Sequence, residues 1–226
     1  MSWEDYVPDF LPAVQSASFV QIGANCGMNT RHCAISGDPV WDYATRCHWR
    51  GVAVEAYKPI FRELCDNYSP HPTVWPIHTA VSDARRRAAV FRTGNREANH
   101  LLTEHEARRV MSGQRLFGGN VTVDVVRLHD VWAAVLALGV REVDVLVIDV
   151  EGEESKLLSS PLPSPPPRMV LYEHLHVAPS DQRRIHKALL SQGYALLADV
   201  GLWRGQPANR LYGRRRSITS PFAKRY

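Results

Sequence analysis

Three stretches carry residues whose types and spacing could do chemistry. Gly23-Ala24-Asn25-Cys26-Gly27 follows a short apolar run (Phe19, Val20, Ile22). Glu55 ends a second run, Gly51-Val52-Ala53-Val54. Asp149 closes the most hydrophobic run in the chain, residues 143–150, and leads into Glu151-Gly152-Glu153-Glu154. A buried strand that ends in a glycine-rich turn and opens a helix brings backbone N–H groups close to a nucleotide-like ligand. Gly23 permits that approach without a Cβ in the way, and Gly27 permits close packing of the next element. The spacing is G-x-N-x-G rather than G-x-G-x-x-G, which departs from the nicotinamide fingerprint. Taken alone, the turn is also compatible with a purely structural β–α connection. A carboxylate at the end of the next strand, Glu55, can accept two hydrogen bonds from vicinal ribose hydroxyls. Its plain alternative is a solvated strand end.

Strands must carry these positions to one edge of a sheet. Residues 19–22, 51–55, 73–81, 121–127, 143–150 and 168–173 read as strands. Residues 194–200 and 208–212 read as a terminal antiparallel hairpin, and 88–91 as a short hairpin partner. Helical readings fall on 29–35, 41–49, 59–68, 128–138 (ended by Gly139), a helix opening at Glu151, and 180–191, capped by Ser180-Asp181 and ended by Gln192-Gly193. Strand and helix alternate, so the expected fold is a single α/β domain of residues 18–226 with a mostly parallel sheet. Residues 1–17 read as an arm or helix interrupted by Pro8 and Pro12. Residues 93–119 are polar and glycine-punctuated, with one helical stretch at 104–111. They read as a substrate-loop insertion, with Asn99, His100, Glu104, His105 and Arg108 as polar candidates.

Composition sets the outer bounds. The chain has 226 residues, 45% hydrophobic and 22% charged, enough for one domain with a sizeable core. No apolar run approaches the ~20 residues that span a bilayer, and the acidic start lacks a secretory pattern. A cytoplasmic, membrane-free protein is the expectation. The four cysteines (Cys26, Cys33, Cys47, Cys65) form no C-x-x-C pair and read as free thiols. Net charge is +4, with arginine runs at 85–87, 108–109 and 214–216. No aromatic interleaving accompanies them, so nucleic acid is not the expected partner.

Taken in order, VQIGANCGMNT, GVAVEAYKPIFRELCDN, HTAVSD and VDVLVIDVEGEESKLL resemble the FkbM family of S-adenosylmethionine-dependent methyltransferases. The resemblance runs from about Ser18 to Leu158, and RMVLYEHLH fits the family's tail. It implies a Rossmann-like class I methyltransferase domain with S-adenosyl-L-methionine as cofactor. Gly23, Ala24, Asn25 and Gly27 would then line the methionine portion, with Gln21 at the amino-acid end. Glu55 would hold the ribose, and Ala80, Val81, Ser82 and Asp83 would flank the adenine. Three positions depart from the family pattern. Gln21 replaces an acidic residue, Ala56-Tyr57 replaces a proline after the glutamate, and Val147 replaces a lysine.

Methyl transfer to a hydroxyl needs an in-line nucleophile and a base. Asp149, Glu151, Glu173, His174 and His176 are the candidates at the strand ends. Asp149 is the first choice to face the cofactor–acceptor junction, its alternative being a helix N-cap. His174 is the first choice as base by its ordinary pKa. Asp149, Glu151 and Glu173 could instead hold a divalent cation. The expected activity is O-methylation of a small-molecule or sugar hydroxyl. The alternatives are a non-catalytic binder of the same cofactor and a nicotinamide-dependent oxidoreductase. The absence of a third glycine and of a Tyr-x-x-x-Lys pair counts against the last. The chain says nothing of oligomeric state.

Overall fold

All five residues of the first strand, β1 (Ser18–Ile22), are buried, which places it inside a sheet covered on both faces. The computed structural model describes residues 2–11, 14–28, 38–92, 99–102, 121–203 and 205–214. After β1 come β2 (Arg50–Glu55), β3 (Val74–His78), β4 (Ala80–Ser82), β5 (Arg86–Arg92), β6 (Asn99–Leu102) and β7 (Val121–Arg127). They are followed by β8 (Val145–Ile148), β9 (Met169–Glu173), β10 (Tyr194–Trp203) and β11 (Gln206–Arg214). The helices are α1 (Val7–Phe10), α2 (Trp41–Arg46), α3 (Lys58–Tyr68), α4 (Leu128–Ala137), α5 (Glu154–Leu158) and α6 (Pro179–Ser191).

The main sheet has seven strands in the order β10-β11-β9-β8-β1-β2-β3. The strands β9, β8, β1, β2 and β3 are mutually parallel, and β11 runs antiparallel between β9 and β10. From β1 the chain builds outward through β2 and β3, then returns to β8 on the other side. The carboxyl ends of β1 and β8 therefore flank the switch point at which such sheets bind ligands.

Alternation along each strand assigns the faces. Val20, Ile22, Val52, Val54, Leu146 and Ile148 pack with Val131, Trp132 and Val135 of α4 and Ile185 and Leu189 of α6. Phe19, Ala53, Val145, Val147, Met169 and Leu171 pack on the opposite face with Trp3, Val7, Trp49, Leu64 and Tyr68. The N-terminal segment is docked here: Trp3 meets Trp49 edge-on at 6.2 Å. At the amino ends of the strands, Asp144 accepts from Ser18 N at 2.9 Å and Arg168 Nε at 2.7 Å, which keeps β1, β8 and β9 in register.

Several sequence expectations are corrected. The single strand expected over 73–81 is two strands in different sheets. Its second half, β4, joins a four-stranded sheet ordered β4-β7-β5-β6. Thr79 marks the change, donating its hydroxyl to Asp124 O at 2.6 Å and so binding the chain to β7. Part of the expected insertion thus belongs to a second sheet. The helix expected from Glu151 begins at Glu154, because Glu151 (φ 55°) and Gly152 (φ 112°) form a left-handed turn first. The carboxylate of Glu154 holds that turn, accepting from Val150 N and Gly152 N at 2.9 Å each. The helix expected from Ser180 starts one residue earlier, at Pro179, whose fixed φ suits the first helical turn. Free thiols are found at Cys47 and Cys65, but Cys26 is disulfide-bonded. The helix expected over 29–35 and the candidates Glu104, His105 and Arg108 lie outside the described residues. Among the described residues, no helix is long and apolar enough to cross a membrane.

Candidate active site

Alternation puts four polar side chains on one side of the sheet at its carboxyl edge. Phe19 shares its face with Gln21, Ala53 with Glu55, Val145 and Val147 with Asp149, and Met169 and Leu171 with Glu173. Each is the first polar residue after apolar positions on that face, so the strand pattern alone delivers them to the switch point.

The glycine turn is packed against this edge. A Cβ on Gly23 would lie 1.7 Å from Asp149 O, and the residue has φ 80°. Gly27 has φ 65° and lies over the Tyr68 ring, whose Cε2 would be 2.5 Å from an added Cβ. Both glycines are required by close approach. The N–H groups of Gly23 and Ala24 both donate to Val54 O at 2.9 Å, and Gly27 N donates to Ala24 O at 3.0 Å. Their donors are spent within the protein, unlike those of a phosphate cradle.

Glu55 closes onto that turn. Its Oε2 accepts from Asn25 N at 3.1 Å and its Oε1 from Tyr57 N at 2.6 Å. Burial raises its pKa to about 7, against the lowering effect of the N–H groups of Tyr57, Asn25 and Ala56. A carboxylate has about four acceptor sites, so Glu55 retains capacity for a hydroxyl donor beside these N–H groups. Asn25 holds a left-handed φ of 50° and accepts from Cys26 N at 2.8 Å through its own side chain.

The carboxylates beyond β8 and β9 form the other half of the site. Asp149 is solvent-accessible, and ligand oxygens of Asp149, Glu154 and Glu173 lie within 4.8 Å of one another. Desolvation by the surrounding protein and the charges of Glu173, Glu151, Glu154 and Glu55 push the Asp149 pKa well up. Glu151, Glu173 and His176 form a second such group. His176 Nδ1 lies 2.8 Å from Glu151 Oε2 and 3.1 Å from Glu173 Oε2.

The structure separates the two histidines. His174 sits half-buried near Arg210, and burial followed by the Arg210 charge lowers its pKa. Its backbone N–H donates to Ala208 O at 2.9 Å. His176, two residues on, joins the carboxylates instead. The sequence-stretch candidates of β4 are inward-facing. Ala80 and Val81 are buried, with Val81 in the main core. Ser82 is buried with its hydroxyl donating to Glu153 Oε2, and Asp83 is exposed. Sequence reasoning missed Glu153, which ties β4 to α5, and Asp38, which accepts from Gln21 Nε2 at 2.8 Å. An acidic residue seventeen positions along a loop carries no local signal of such pairing.

A family model described as the methyltransferase FkbM domain matches residues 21–196. The fold is similar to a crystal structure of methyltransferase FkbM from Methylobacillus flagellatus KT, at 14% sequence identity and a TM-score of 0.51. That match covers 88% of this chain and 44% of the other, so the chain spans less than half of that solved structure's length. Similarity also extends to Aeropyrum pernix fibrillarin in complex with natively bound S-adenosyl-L-methionine, at 12% identity and a TM-score of 0.43, covering 89% of this chain and 68% of that one. No curated protein sequence matches the chain at a significant level.

Proposed function

Because the chain belongs to the FkbM family of methyltransferases, we propose that it is an S-adenosylmethionine-dependent O-methyltransferase acting on a small-molecule or sugar hydroxyl. The observation that carries this reading is the closure of the buried Glu55 carboxylate onto the glycine turn through Asn25 N. That arrangement offers acceptors to a diol and no free N–H cradle to a phosphate. It fits the ribose of S-adenosylmethionine, which when bound supplies an electrophilic methyl group on a cationic sulfur.

In this reading Glu55 holds the ribose hydroxyls and the turn at Gly23 brings the ligand against the carboxyl end of β8. Asp149 stands where the cofactor and acceptor meet, and its carboxylate favours positive charge beside it. His176 is oriented at Nδ1 by Glu151 and Glu173, so the acceptor's proton passes to Nε2 and the resulting imidazolium is stabilised by both carboxylates. A second reading has Glu151, Glu173 and His176 hold a divalent cation that lowers the hydroxyl's pKa in place of a base. The close grouping of their ligand atoms favours considering it.

Calorimetric titration of S-adenosylmethionine and S-adenosylhomocysteine into the wild type and Glu55→Ala tests the cofactor. Micromolar binding that weakens about ten- to a hundredfold in the variant supports it. Absence of heat with either ligand in folded protein overturns it. Transfer of a labelled methyl to a panel of hydroxylated acceptors, with and without EDTA, then separates an enzyme from a non-catalytic binder and a base from a metal.

A further inference from the structure

The last turn of α3 carries a polar residue on the inward side of the helix. Asn67 follows Ile60 and Leu64 at helical spacing and shares their stripe. Ile60 and Leu64 are buried, and Asn67 is half-buried with its Nδ2 donating to Cys26 O at 2.8 Å. A polar side chain on such a stripe is tolerated when a buried group answers it, and Cys26 is itself buried. The neighbours of Asn67 press on the same part of the turn. Leu64 and Tyr68 atoms would lie 2.7 and 2.5 Å from a Cβ placed on Gly27.

Different elements therefore hold the two ends of the turn. Gly23 N and Ala24 N are bonded to Val54 O of β2, and the Cys26 carbonyl is bonded to α3. Asn25 spans the gap between these anchors at φ 50°, and its N–H reaches Glu55 Oε2 at 3.1 Å. At the opposite end of α3, the N–H of its N-cap Tyr57 donates to Glu55 Oε1 at 2.6 Å. One helix thus meets the carboxylate directly at its start and fixes the carboxylate's second donor at its end. A left-handed conformation at a residue other than glycine persists only where its surroundings over-determine it. The Asn67 bond is one of those constraints. A buried carbonyl that lost its donor would turn toward another, carrying Cys26 and the Asn25 N–H with it.

We infer that Asn67 is a positioning residue for cofactor binding. By holding the Cys26 carbonyl it keeps the Asn25 N–H on Glu55, and so keeps that carboxylate aimed at the ribose hydroxyls. The inference rests on the cofactor reading above. Asn67 acts without touching the ligand, and its effect passes through Glu55.

The test is a double-mutant cycle, read by calorimetric titration of S-adenosylhomocysteine into the wild type, Asn67→Leu, Glu55→Ala and the two combined. Leucine has the branching of asparagine and favours a helix, so the change removes the donor and little else. Asn67→Leu should weaken binding about three- to tenfold in the wild-type background. Added to Glu55→Ala, it should cause no further loss. A merely structural role would weaken both backgrounds equally, and that outcome overturns the inference. Wild-type affinity in Asn67→Leu also overturns it, while leaving the cofactor reading in place. If Asn67→Leu does not fold, Asn67→Asp, which keeps the shape and lacks the donor, carries the same expectation. Absence of binding by the folded wild type overturns the cofactor reading itself and this inference with it.

Discussion

Nδ1 of His176 lies 2.8 Å from Oε2 of Glu151, bridging the turn after β9 to the turn after β8. Burial acts to lower the His176 pKa, but the charges of Glu151 and Glu173 outweigh it and raise the value. A histidine with a raised folded-state pKa contributes stability in full below its unfolded pKa, about 6.5, and loses it as pH rises through the folded value. The side chain is 48% exposed, so the contribution is that of a partly solvated pair, about 0.5–1 kcal/mol. Urea unfolding should find His176→Gln less stable than wild type by that amount near pH 5.5 and indistinguishable near pH 8.5. An equal difference at both would mean the bridge does not depend on charge.

Glu55 couples its own raised pKa to ligand binding. Its pKa rises from 4.5 to about 7 in the folded chain. The free protein therefore holds this increment of stability below pH 4.5 and loses it as pH climbs through about 7. Ribose hydroxyls donate hydrogen bonds and favour the ionised carboxylate. Cofactor binding should expel a proton near neutrality, and affinity should rise roughly tenfold between pH 6 and 8. Titration in buffers of different ionisation enthalpy reports that proton. A flat affinity profile with no proton release would remove Glu55 from the ribose.

Gly23→Ala is the most damaging single change at the site. The new Cβ would meet backbone, Asp149 O at 1.7 Å, in a left-handed conformation of φ 80°. Backbone cannot yield as a flexible side chain can, so the cost should be about 2–4 kcal/mol. Thermal unfolding should fall by roughly 5–15 °C for a domain of this size. A stable variant that still binds cofactor would show that the turn is looser than its packing implies.

Glu153 joins the second sheet to the site. It accepts from the Ser82 hydroxyl of β4 and pairs with Lys156 Nζ at 2.6 Å. Glu153→Ala should lower stability by about 1–3 kcal/mol, the range for a buried charge-assisted hydrogen bond. A double-mutant cycle with Ser82→Ala should recover a coupling of about 1 kcal/mol. Additive effects would show that the two residues act separately.

Much of the architecture was legible in the residues. The alternation of Val20 and Ile22 with Phe19 and Gln21, the glycine turn, and a carboxylate closing β2 are local patterns, because side-chain direction repeats every two residues along a strand. Such periodicity determines which residues reach the carboxyl edge and on which side. Local pattern does not determine which loops meet there. The pairing of Gln21 with Asp38, the entry of His176 in place of His174 among the carboxylates, and the change of sheet at Thr79 arise from strand order and crossover. So does the contact between Ser82 and Glu153, residues 71 positions apart. These relationships bring together segments that neither share a period nor neighbour one another in the chain, so only the folded arrangement of the sheet could decide them.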